Sequence, residues 1–127
     1  MKTYTYDETL AKLKEIVELK GEDFVYYGDP KDEDFSACFY AQDGKPDCGV
    51  GHVLAAFGVG ISDLETYGEY ASGFALTVLN DLRRDNVMAF DLRARLLLGT
   101  FQRHQDAHIS WGESLKRAIE RVKELRD

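Results

Sequence analysis

Residues 38–52, CFYAQDGKPDCGVGH, hold both cysteines of the chain and one of its three histidines. The aromatic run before Asp43-Gly44 suits a strand, and Asp-Gly followed by Pro46 is turn chemistry. Asp47 is placed to cap a helix that begins at Cys48. That helix carries Val50, Val53, Leu54 and Phe57 on one side and ends at Gly58. The stretch therefore reads as a corner where a strand turns into a helix.

Working outward, helical periodicity dominates. Thr5 and Glu8 form a capping box, and Leu10, Leu13, Ile16 and Val17 make one apolar stripe that Gly21 ends. DFVYYGD (23–29) reads as a short strand, PKDEDF (30–35) as an acidic loop and SACFYA (36–41) as a second strand. Ser62 and Glu65 make a further capping box, opening a short helix through Tyr67. Residues 71–84 give a helix with Ala75, Val78, Leu79 and Leu82 inward. Residues 90–105 give another, weakened by about 1 kcal/mol at Gly99. The last runs from Ser110, with Leu115, Ala118, Ile119, Val122 and Leu125 as its stripe. The pattern leaves open whether these final two helices join through 105–110. The expected fold is mainly α (α+β): five or six short helices around one small two-stranded β-hairpin in the first half, in a single domain, 1–127.

The 127 residues are 44% hydrophobic and 31% charged, the balance of a globular protein. No apolar run approaches the ~18–20 residues that cross a bilayer, and the N-terminus lacks a signal-peptide pattern, so no membrane association and a cytoplasmic location are expected. In that compartment the two cysteines are expected to be free thiols. The net charge of −7 makes nucleic acid a poor ligand. The charge is uneven. The first 69 residues carry 6 lysines against 15 Asp and Glu, whereas every arginine lies in the rest. The acidic residues Asp32, Glu33 and Asp34 are candidates to meet a basic protein partner.

The residue types of the corner suit three chemistries. Cys48 at a helix start, with His52 one turn on, superficially resembles an activated nucleophile and base. Two side chains four apart on one helix project in parallel, however, and no catalysis is expected. Cys38, Cys48, His52, His104 and His108 offer five potential metal ligands, the last two at i, i+4 on a helical segment, but without a Cys-x-x-Cys knuckle. No metal and no cofactor are expected. Gly49 and Gly51 could cradle a phosphate of a nucleotide-like ligand, or let the helix pack closely on the aromatic strand. Gln102, Gln105, Asp106 and Trp111 read as a polar network beside a bulky anchor, with Asp106 capping the last helix. Tyr26, Tyr27, Phe39 and Tyr40 read as core and rim aromatics.

The run ACFYAQDGKPDCGVGHVLAAFGV, with QRHQDAHISWGESLKRA later, resembles a group of small actinobacterial and actinobacteriophage proteins over roughly residues 24–120. The shared pattern is Cys-x-Tyr, Gly-x-Pro-x-Cys-x-Val-Gly and Gln-x-x-Gln-Asp-x4-Trp. Cys38, Tyr40, Pro46, Cys48, Gly51, Gln105, Asp106 and Trp111 fall on it. His104 and His108 do not, and members of the group often carry glycine at the position of His108. The resemblance implies a phage or actinobacterial origin and a shared structural corner, and it brings no established activity. The function expected is a phage-type accessory protein that binds a host protein in the host cytoplasm.

Overall fold

The computed structural model describes residues 1–28, 39–70 and 74–125. Among the described residues it is mainly helical, with two minimal sheets. In order, the elements are β1 (Thr3–Tyr4), α1 (Tyr6–Lys20), β2 (Ala41–Gln42), β3 (Lys45–Pro46), α2 (Gly49–Ala56), α3 (Ile61–Tyr70), α4 (Ala75–Arg84), β4 (Ala89–Phe90), α5 (Leu92–Asp106) and α6 (Trp111–Lys123).

The capping box of Thr5 and Glu8 starts α1, and Gly21, at φ 99°, ends it. Leu13, Ile16 and Val17 of its stripe are buried. The hairpin of the first half is β2–β3, antiparallel with Ala41 opposite Pro46 and Gln42 opposite Lys45. It turns through Asp43 and Gly44, both at positive φ. Pro46 therefore sits inside a strand, at a terminal position where its missing N–H costs little. The strand expected at 23–29 does not form in its described part. The carbonyls of Glu22 and Phe24 instead accept from the amides of Gly112 and Trp111, both at 2.8 Å. The segment thus satisfies donors that every helix N-terminus leaves over. Of the strand expected at 36–41, residues 36–38 lie outside the described residues.

A parallel pair, β1 with β4, was not legible in the sequence. It brings Tyr4 onto Phe57 and Phe90, with ring centroids 3.9 and 5.6 Å apart. Ser62 falls within α3, which begins at Ile61. α4 buries Ala75, Val78, Leu79 and Leu82 as its periodicity requires. α5 and α6 are separate helices. α5 is capped at Asp91, whose side chain accepts from Ala94 N at 2.8 Å, and ends at Ala107. Then His108 takes φ 61°, a left-handed conformation that suits glycine at a helix end. Ser110, not Asp106, caps α6. The core runs from α1 through α2 to α4, α5 and α6, with Trp111, Phe101 and Leu97 fully buried.

Candidate functional site

Two places on the molecule collect chemistry-bearing side chains: the start of α2, and a groove between α4 and α5.

At the start of α2, Cys48 rather than Asp47 is the cap, and its Sγ accepts from Gly51 N at 3.4 Å. Asp47 is drawn away by Tyr26, whose hydroxyl donates to Oδ2 at 2.6 Å, and by Gln42 Nε2 at 3.1 Å. Burial and the Asp47 bond together push the Tyr26 hydroxyl far above its ordinary pKa. Gly51 packs against the backbone of Tyr40, so a Cβ there would collide with the Tyr40 carbonyl. A Cβ on Gly49 would strike the Phe101 ring. The Gly49 amide donates to Gln105 Oε1 at 2.8 Å. Both amides that could face a phosphate are therefore met by atoms of this chain.

Cys48 is fully buried and disulfide-bonded, which corrects the expectation of free thiols. That expectation rested on redox compartment, whereas bonding depends on a tertiary proximity that spacing does not reveal. Cys48 in this state offers neither a nucleophile nor a metal ligand. Cys38 lies outside the described residues, as do Asp32, Glu33 and Asp34. Of the expected cytoplasmic location, the structure says only that no described helix is long and apolar enough to cross a membrane.

The histidines are dispersed in role. His52 lies edge-on to Trp111, ring centroids 6.1 Å apart, and its buried Nε2 has no hydrogen-bond partner among the described residues. Burial, then Lys20, holds its pKa below the ordinary value. His104 is also lowered, by burial first and by Arg103 and Arg117 next. His108 is not on a helix with it: the chain has left α5, and the His108 ring lies on Tyr27 at 4.8 Å. The i, i+4 chelate geometry expected for these two is therefore lost. Among the described residues, no group of three or more His, Cys, Asp and Glu is placed to hold a metal ion.

The polar residues of the second motif converge behind this corner. Tyr40 donates to Gln102 Oε1 at 2.7 Å. Gln105 Nε2 donates to Asp106 Oδ1 at 2.9 Å, and Gln102 is also hydrogen-bonded to Asp106. Asp106 thus closes a chain of side chains that ties Tyr40 and the start of α2 to the end of α5. Burial raises its pKa to about 6, while the two glutamine amides and His108 pull it down. Trp111 anchors the same region, with Phe24 at 4.7 Å and Phe101 at 5.8 Å around it. Its buried Nε1 has no partner among the described residues.

No protein-family model matches this chain, and no curated protein or solved structure matches it. Function has to be read from the geometry.

The second place is the groove between α4 and α5. It has a volume of about 900 Å³, at the upper end of ligand pockets, and lies between Phe74 and Leu76 on one side and Leu92, Leu96 and Gly99 on the other. Arg95, Arg103 and Asp106 supply its charges. Seven large apolar side chains are exposed among the described residues, and three of them border this groove: Phe74 at 69%, Leu76 at 52% and Leu92 at 57%. Two signals in the sequence point to it. The inward stripe of α4 leaves Phe74 and Leu76 unassigned. The leucines at 92, 96, 97 and 98 are also too widely spread around one helix to share a single buried face.

Proposed function

We propose that this chain acts by non-covalent binding to another protein, and that the α4–α5 groove is its docking surface. In the setting that the sequence resemblance implies, the partner is a host protein engaged by a phage-type accessory factor. The observation that carries the reading is the clustering of exposed Phe74, Leu76 and Leu92 along one concavity. Scattered apolar side chains on a surface need no explanation, but a contiguous set does. The corner at α2 supports the same reading from the other side. Its candidate nucleophile is disulfide-bonded and its candidate phosphate donors bond within the chain.

The experiment is site-specific photo-crosslinking in cells where the chain is natively made. A photoreactive residue at position 76 is expected to give one discrete protein adduct. The same residue at position 14, an exposed site on α1 away from the groove, is expected to give none. Equal labelling from both positions, or no adduct from position 76, rules out the groove as the docking surface.

A further inference from the structure

We propose that the occupant of the α4–α5 groove is an amphipathic helix of the partner protein, with carboxylates placed to meet Arg95 and Arg103. This rests on the binding reading above and names the partner's chemistry.

The floor of the groove has the form of a helix-packing seam. Leu92, Leu96, Gly99 and Arg103 follow i, i+4, i+7 and i+11 along α5, so they line one ridge. At 1.5 Å per residue the ridge is about 16 Å long, three turns of helix. Leu76 and Phe74 form the second wall, so an incoming helix meets apolar side chains on both sides. Gly99 sits near the middle of the seam. Among the described residues, Leu76 stands over its Cα, 3.6 Å from where a Cβ would be. The small residue there lets Leu76 lie close against α5, so the α4 wall and the α5 ridge meet at the floor of the groove.

Charge then selects the kind of helix. Three arginines away from the groove are ion-paired: Arg84 with Asp81 and Asp85, Arg117 with Glu113, and Arg121 with Glu124. Arg95 and Arg103 make no ion pair among the described residues, and Arg95 Nε is buried without a hydrogen-bond partner. The groove's carboxylate, Asp106, is already held by Gln102 and Gln105. Two guanidinium groups beside a leucine seam therefore stand ready for carboxylates on the rim of an apolar helix face. Such groups give bidentate geometry and register rather than bulk affinity.

The test uses two synthetic helical peptides of about four turns. One has leucines at i, i+4 and i+7 flanked by glutamates, and the other has lysines in place of the glutamates. Fluorescence anisotropy is expected to show the acidic peptide binding about tenfold tighter, the effect of two ion pairs. Arg103→Glu, an exposed substitution checked for unchanged thermal unfolding, is expected to erase or invert that preference. Equal affinities for the two peptides, or a preference untouched by Arg103→Glu, overturn the proposal. If position 76 still crosslinks to a protein in that case, the binding reading survives and only the acidic helix falls. If sedimentation shows a dimer that Leu92→Glu abolishes, the occupant is a second copy of this chain, which also overturns it.

Discussion

At the start of α2, the amides of Gly49 and Gly51 and the carboxylate of Asp47 are each met by an atom of the same chain. Along the α4–α5 groove the reverse holds: Phe74, Leu76 and Leu92 lie in solvent, and Arg95 and Arg103 have no acidic partner among the described residues. The first region contains the residue types from which chemistry is usually read: cysteine, histidine, paired glycines. The second contains leucine, arginine and one glycine, a composition with no motif. What separates them is satisfaction, with His52 Nε2 the exception at the corner. A polar group whose partners lie within the fold holds the fold together. An apolar or charged group without such partners is available to something else.

The sharpest way to break this contrast is Gly51→Ala. If the corner is close-packed structure, the added methyl meets the Tyr40 carbonyl, a backbone atom that cannot rotate away. The expected loss is about 3 kcal/mol, the upper range for overpacking, read from denaturant unfolding. A loss below about 1 kcal/mol would show slack at that contact and weaken the structural account of the corner.

Gln105→Leu attacks the same region through its polar side. It leaves the buried Gly49 amide without an acceptor and strips one donor from Asp106. The expected cost is about 2 kcal/mol, the range for orphaning a buried donor. Measured amide exchange should show faster opening at Gly49. Unchanged protection there would mean that another group, or solvent, takes the amide.

Asp106 is the residue at which the two regions meet, because it both closes the glutamine chain and borders the groove. Its folded pKa, about 6, lies above the ordinary carboxylate value of about 3.9. The folded state therefore holds a proton that the unfolded state has lost between those values. Over that window stability falls as pH rises, and above it the ionised group stays unfavourable. Asp106→Asn should remove this slope and raise stability at pH 7 by up to roughly 2 kcal/mol, after allowance for partial exposure. His52 acts in the opposite sense. Its folded pKa is depressed, so stability is present above its ordinary value and is lost as pH falls through the folded one. In the Asn variant, acid destabilisation from His52 should emerge in unfolding curves as pH falls below about 6.5. A wild-type slope retained in Asp106→Asn would remove Asp106 as its source.

The smallest expected effect separates folding from binding. At Gly99 a Cβ would make only ordinary contact with Leu76. Gly99→Ala should therefore stabilise α5 by about 1 kcal/mol while narrowing the seam. Raised thermal stability together with several-fold weaker binding of the acidic peptide would sharpen the contrast. Higher stability with unchanged affinity would place the helix contact elsewhere along the groove.

Much of the helical framework could be read from residues alone. The Thr5–Glu8 capping box, the stripe of α1 and the inward face of α4 follow from local rules that act within one or two turns. A small hairpin in the first half follows too, although it pairs Ala41–Gln42 with Lys45–Pro46 about the Asp43-Gly44 turn rather than the segments 23–29 and 36–41 read as strands. The errors share a cause. Phe24 and its neighbours have strand-like composition, but their carbonyls serve the amides of α6, a partner nearly ninety residues away in sequence. Asp47 has the composition of a cap, but Tyr26 and Gln42 compete for it and leave the role to Cys48. His104 and His108 keep helical spacing in sequence, but the left-handed residue between α5 and α6 breaks it.

The sequence by itself determined which segments are helices, where most of them start and stop, and which face of each is apolar. Periodicity and capping are local, and their energies act before any long-range contact exists. Only the tertiary structure decided which polar groups are already satisfied, that Cys48 is disulfide-bonded, and that Leu92 and Leu96 of α5 border a groove shared with Leu76. Satisfaction and exposure belong to pairs of residues distant along the chain, and no local pattern encodes the distance between them.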